Sequence, residues 1–249
     1  MLQISRKLFA LPFNQVYFQE LKRESIRYEP KVICYTHVLK PSRKLQGQQA
    51  LHIDLKKGEQ FYGVSDTLLT LLMNEQTEKW TISRFHHPTD QQIEDFQQFY
   101  NLYAKQKDSG KLNKFDAQTL KLLRDQGGLL MTKVESEQQE AIGYRVYVVG
   151  EEMVMVLYSA ERALPNESIK LSPNYFLCWE NMKYFSKQSY QLYDFGDIKD
   201  STLLQELKEN FGGKLVTVFS GYISNSLLSQ MLLQFNLKGL KKKLSYSQS

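Results

Sequence analysis

The chain has 249 residues, 42% of them hydrophobic and 24% charged, with a net charge of +5. These values exclude a disordered or fibrous protein and leave room for one generous α/β domain or two small ones. The positive excess favours anionic partners such as phosphates but falls short of a dedicated nucleic-acid binder.

No stretch approaches the ~18 apolar residues of a membrane span, and Met1 to Phe13 lacks the apolar core and cleavage site of a secretory leader, so a cytoplasmic protein is expected. The two cysteines, Cys34 and Cys178, lie far apart and outside metal-ligand spacing, and both are expected to be reduced. No metal site is expected; the only adjacent histidines, His86 and His87, point in different directions on a strand.

From Asn14 to Leu39 apolar residues sit among charges, with Pro30 and Pro41 as punctuation, which predicts short strands. Ala50–Leu55 alternates, with Leu51, Ile53 and Leu55 on one face and His52 and Asp54 on the other. Gly63–Asn74 concentrates leucines behind Ser65 or Asp66 as an N-cap and predicts a buried helix, and Trp80–Phe85 reads as extended. After Pro88, Ile93, Phe96, Tyr100 and Tyr103 recur on one helical face, so a helix should run to about Lys107. A second helix, Asp116–Arg124, stops at Gly127-Gly128.

Leu129–Val134, Ala141–Val149 and Met153–Ala160 then predict an antiparallel meander joined by polar turns. After a loop from Glu161 to Ser172, Pro173 opens a helix whose apolar arc is wide enough to be buried. Tyr190–Phe195 predicts a strand, Ser201–Asn210 a helix, Lys214–Ser220 a strand and Ser224–Leu237 a last helix, with a basic, polar tail at 241–249. Consecutive hairpins in the middle of this series exclude a doubly wound parallel sheet.

Leu171 to Gly196, carrying P-N-Y-F-L-C-W-E-N-M and then Y-D-F-G-D-I, resembles the buried helix, strand and Asp-Phe-Gly of the FemAB-like branch of the GNAT (Gcn5-related N-acetyltransferase) superfamily. F-G-G at Phe211–Gly213, L-H-I-D-L with Asp54, and F-Q-Q-F-Y at Phe96–Tyr100 are similar to further landmarks, so the resemblance spans about Leu51 to Gly221. It implies an α/β fold with a central mixed, mostly antiparallel sheet flanked by helices. Residues 89–240 would form the acyltransferase domain, and 1–88 an N-terminal, strand-rich elaboration too short for the second GNAT copy of many relatives.

The resemblance also implies an acyltransferase that joins an activated acyl group, from an acyl-CoA such as acetyl-CoA or from an aminoacyl-tRNA, to an amine on a small molecule or cell-envelope precursor. Two departures stand out. The apolar Thr67–Met73 replaces the family's basic run, and the loop Glu161–Ser172 contains no glycine, so the phosphate loop of ordinary acetyl-CoA enzymes is missing. The alternative function is a non-catalytic GNAT-fold binding or assembly module.

Amide formation needs a deprotonated amine and donors for the oxyanion. Asp194, at a strand end, is a candidate base or an Asx-type cap of the following turn. Glu180, on the buried helix, faces a cleft or is paired, and Tyr158 is a hydroxyl donor or an ordinary strand tyrosine. Ser159, Ala160, Arg162, Lys170 and Asn174 surround the expected donor loop: Arg162 and Lys170 as phosphate contacts or solubilising charges, Asn174 as a substrate contact or helix cap.

Overall fold

The computed structural model describes residues 2–8, 11–18, 32–57, 63–73, 79–106, 110–163 and 171–224. Among the described residues ten strands form a single sheet: β1 (Leu2–Leu8), β2 (Leu11–Tyr17), β3 (Val32–Val38), β4 (Gln46–Asp54), β5 (Thr81–Phe85), β6 (Leu129–Glu135), β7 (Ala141–Val149), β8 (Met153–Glu161), β9 (Leu192–Asp194) and β10 (Lys214–Ser224). Their spatial order is β1-β2-β3-β10-β4-β9-β8-β7-β6-β5. All neighbours are antiparallel except β2 with β3 and β8 with β9. The expected mixed, mostly antiparallel sheet is therefore present.

Five α-helices flank it among the described residues: α1 (Asp66–Leu72), α2 (Asp90–Gln106), α3 (Lys114–Asp125), α4 (Pro173–Lys187) and α5 (Ser201–Phe211). Their ends follow local chemistry. Ser65 caps α1 by accepting from the Leu68 N–H, and Asn113 with Asp116 forms a capping box on α3. At the end of α3, Gly127 adopts φ 69° and the Gly128 N–H reaches the Leu123 carbonyl at 2.8 Å.

Strand alternation divides the core between the two faces. Leu51 and Ile53 of β4, Tyr193 of β9 and Tyr147 of β7 pack with α1, α4 and α5. Met155 and Tyr158 of β8, with Tyr144, Val146 and Val148 of β7, pack with α2 and α3 on the opposite face. Each fully buried leucine of that second layer, such as Leu120 or Leu123, contributes roughly 1.5–3 kcal/mol relative to exposure.

The N-terminal strands close over the α2/α3 face. Leu2, Ile4 and Tyr17 share its core, and Arg6 reaches Thr119 Oγ1 at 2.7 Å with its guanidinium 3.9 Å from the Phe115 ring centroid. A Cβ at Gly128 would lie 2.5 Å from Leu2, so β1 sits directly on the start of β6.

Some boundaries differ from expectation. The strand at Leu2–Leu8 has no counterpart among the expected elements, although Leu2 and Ile4 carry its buried face. β10 does not stop at Ser220. It passes a bulge between Phe219 and Gly221 and pairs as far as Ser224, so Ser224 ends a strand rather than opening a helix. The rest of that expected helix, the basic tail and Lys170 lie outside the described residues.

Candidate functional site

The parallel pairing of β8 with β9 covers only Met153↔Leu192, Val154↔Tyr193 and Met155↔Asp194. β8 runs on to Glu161 and has no neighbouring strand on that side among the described residues. A bulge adds to the divergence: against β7 the register passes from Tyr147↔Val156 to Val146↔Tyr158, leaving Leu157 unpaired and re-aiming the strand.

Gly196 marks the fork. It has φ 78°, and a Cβ there would meet the Val156 carbonyl oxygen at 2.0 Å, so only glycine lets the chain leave β9 this close to β8. Beyond the fork β9 has ended and β8 continues to Glu161.

Asp194 lies directly opposite His52 in the sheet, and both side chains leave on the α2/α3 face because their neighbours Tyr193, Leu51 and Ile53 occupy the other. Asp194 is 0% exposed. Its Oδ1 accepts the Gly196 N–H at 2.8 Å, and its Oδ2 is 2.5 Å from His37 Nδ1.

His37 Nε2 is in turn 2.8 Å from Asp197 Oδ1, and Gln48 Nε2 donates to the same oxygen. His37 is 1% exposed and holds φ 54°, a left-handed conformation costly for a non-glycine residue, while its backbone N–H donates to Ser220 Oγ. Asp197, at 14% exposure, is the member of the chain that reaches solvent.

The electrostatics form an ion triad. Burial alone would pull the His37 imidazole down, but the Asp194 and Asp197 carboxylates outweigh it and raise it to about 10. Burial likewise pushes against ionised Asp194, yet the charge and hydrogen bond of His37, with His52 close by, hold it well below the usual carboxylate range. Two carboxylates and one imidazolium leave one net negative charge at the fork. His52 Nε2 lies 3.3 Å from Asp194 Oδ2 but is not aligned for a hydrogen bond, and is buried with no other partner.

The expected site residues separate. Asp194 and Tyr158 come to one face on either side of the fork, and Asp194 makes the expected Asx-type contact with Gly196. Tyr158 packs against Phe96 and Tyr100, and burial together with Asp116 and Tyr17 keeps its hydroxyl protonated well beyond the ordinary range. Ala160 shares that buried face, whereas Ser159 pairs with Arg145 in the β7 register.

Glu180 lies across the sheet on α4, bound by Lys183 at 2.8 Å. Arg162 is exposed and paired with Glu140 at 2.9 Å. Asn174 does not cap α4; Ser172 does, accepting the Asn174 N–H at 3.1 Å. The Asn174 side-chain oxygen is buried without a partner. Sequence reasoning missed His37, Gln48 and Asp197; His52 was visible on the polar face of its strand.

A single mixed sheet, a parallel strand pair that forks at a glycine, and a buried helix following the longer arm make up a fold that the chain shares with solved structures, FemX among them. Among solved structures, the chain is similar to L-PGS from Bacillus licheniformis, with TM-score 0.55 and 13% identity over 83% of this chain and 72% of that one. It is also similar to the C-terminal domain of a putative lysylphosphatidylglycerol synthetase from Agrobacterium fabrum, with TM-score 0.53 and 13% identity over the same shares. FemX gives TM-score 0.56 and 11% identity over 75% of this chain and 63% of that one. No family model and no curated protein matches the sequence. No described helix is long and apolar enough to cross a membrane, and no described cluster of His, Cys, Asp and Glu is arranged to hold a metal ion.

The acyl-CoA that the sequence resemblance implies meets an obstacle at the start of α4, where a diphosphate would be drawn to unpaired N–H groups. Pro173 has none. The Asn174 N–H is taken by Ser172 Oγ and by Glu161 Oε2 at 3.3 Å, and the Tyr175 and Phe176 N–H groups reach the Ser172 carbonyl at 3.0 and 3.1 Å. The residues present do not fit a diphosphate there.

Proposed function

We propose that the chain is an acyltransferase that moves an N-acyl or aminoacyl group to a primary amine in the fork between β8 and β9. The reading rests on one observation: the strands part beside a buried Asp194–His37–Asp197 triad whose partly exposed member stands one residue past the fork. The solved structures of FemX and L-PGS, which the chain resembles, support it through the fold.

In this reading the acceptor enters as an ammonium and binds the Asp197 carboxylate, which His37 and Gln48 hold in place. The net negative charge of the triad favours a cation. Once the proton has passed to Asp197 or to water, the amine nitrogen attacks the donor carbonyl; a C–N bond forms, the bond to the donor's leaving oxygen breaks, and that oxygen takes up the second proton lost by the nitrogen. The unpaired edge of β8 beyond Val156 offers N–H groups to the oxyanion, and Tyr158, protonated throughout, is a hydroxyl donor on the same face. Asp194 acts through His37 and is a positioning residue.

The test is acyl transfer from acetyl-CoA and from a mixture of aminoacyl-tRNAs to amine acceptors, including amino-sugar nucleotides, with mass-spectrometric detection of the amide. Asp197→Asn should lower turnover on the order of 100-fold and Tyr158→Phe by at least about 10-fold, with the fold retained. Product formation that is unchanged in Asp197→Asn removes the triad from the mechanism, and absence of any product leaves a binding module as the better description.

A further inference from the structure

The start of α4 already holds an anion. Glu161, the last residue of β8, accepts hydrogen bonds through Oε2 from Ser172 Oγ and the Asn174 N–H, so a carboxylate of the chain itself sits on the first turn of a 15-residue helix, where the backbone dipole favours negative charge.

A second group converges there independently. Arg145, 5% exposed on β7, sends Nη1 to the Asn174 carbonyl at 3.0 Å, while its Nε is buried without a partner. No carboxylate stands within ion-pair distance of it among the described residues, but the Glu161 charge acts on it. A buried guanidinium paired this loosely is poised for an anion.

We infer that Glu161 is a specificity-determining residue: it is a built-in anion that closes the Arg145/α4 site and so refuses donors that would bring a diphosphate to the end of β8. The inference rests on the transfer reading only for its meaning as donor selection. The closure itself is a matter of binding. Without the Glu161 carboxylate, the Ser172 hydroxyl and the Arg145 guanidinium, both bonded to Asn174, stand at the first turn of α4 with no counter-charge, and that set suits a diphosphate oxygen.

The experiment is calorimetric titration of inorganic pyrophosphate and of CoA into the full-length protein, wild type against Glu161→Ala, at low and at 0.3 M salt. Wild type should show no saturable binding in the low-millimolar range. Glu161→Ala should bind pyrophosphate at least about tenfold more tightly, with affinity falling as salt rises, and adding Arg145→Met should abolish the gain. Because Glu161→Ala also removes a helix cap, Glu161→Gln is measured beside it; it keeps an acceptor for Ser172 and Asn174, discards the charge and should show a gain of at least about threefold.

Wild-type pyrophosphate binding as tight as in the variants overturns the inference, as does a folded Glu161→Gln with no gain. Neither result bears on the fork, since binding is read without turnover and Asp197→Asn tests the transfer reading separately.

Discussion

Asp194→Asn should destabilise the protein severely although it removes one charge and almost no volume. In the wild type the carboxylate is 0% exposed, 2.5 Å from His37 Nδ1, and the imidazole is itself 1% exposed. The substitution leaves a buried imidazolium facing an amide, and removing one member of such a pair costs on the order of 3–5 kcal/mol. For a chain of this length each kcal/mol moves Tm by about 2–4 °C, so a fall of roughly 10 °C is expected.

The pH dependence carries the sign. His37 is raised to about 10 in the folded state, so its contribution is complete below its unfolded value of about 6.5 and is lost as pH climbs toward 10. Wild-type stability should therefore fall between pH 7 and 10, by at most about 1.4 kcal/mol per pH unit from this group. Asp194, depressed when folded, loses its contribution only as pH drops below about 4. Urea unfolding of wild type, Asp194→Asn, His37→Gln and the double variant, at pH 6.5 and pH 9.5, measures both effects. A loss under about 1 kcal/mol in Asp194→Asn, or double-variant additivity within about 0.5 kcal/mol, would refute the ion-triad account.

Three further outcomes follow from the same contacts. Gly196→Ala should cost at least about 2–3 kcal/mol, since it combines a positive φ with a Cβ driven into the Val156 carbonyl; a thermal melt matching wild type would show that the fork is not pinned there. Asn181→Leu should cost about 1–3 kcal/mol in urea unfolding, because Asn181 is buried and bonds Thr132 Oγ1 at 2.8 Å and Tyr147 OH at 3.0 Å. Cys178 is buried and Cys34 half-buried, and desolvation raises both thiols, Cys34 to about 11, so at pH 8 both should react slowly with a disulfide reagent in the native protein, Cys178 the more slowly; rapid loss of one equivalent would contradict this.

The sequence made legible what local periodicity encodes. The meander β6–β8 stands within a residue of its expected bounds because runs of strand-forming residues and the polar turns between them are short-range signals. α4 opens where expected, at Pro173, and its wide apolar arc suffices to mark it as a buried helix. What local pattern does not encode is strand order. β10, the last described element, inserts between β3 and β4, and in the resulting sheet His37 meets Asp194 across 157 positions of sequence.

The cue available in advance was narrower. His52 and Asp194 are polar groups on strands whose other faces are apolar, and a buried polar face needs partners. That argument leads from Asp194 to a missing cation but does not say which of four histidines supplies it.

The placement of Asp194 changes how its role must be understood. A carboxylate held ionised inside the sheet by a histidine cannot meet a substrate directly, and its proton affinity is too low for it to serve as a base near neutrality. What it does is fix His37, whose other nitrogen fixes Asp197 at the fork. The N-terminal strands therefore contribute more than cover for α3: β3 delivers the cation on which the acidic end of the proposed acceptor site depends. In the proposed reaction, selection of the amine is coupled to correct docking of β3 in the sheet, while selection of the donor is set on the opposite face by Glu161 and Arg145. The two determinants lie on different sides of one strand, β8, so a change at either should alter one substrate preference and spare the other.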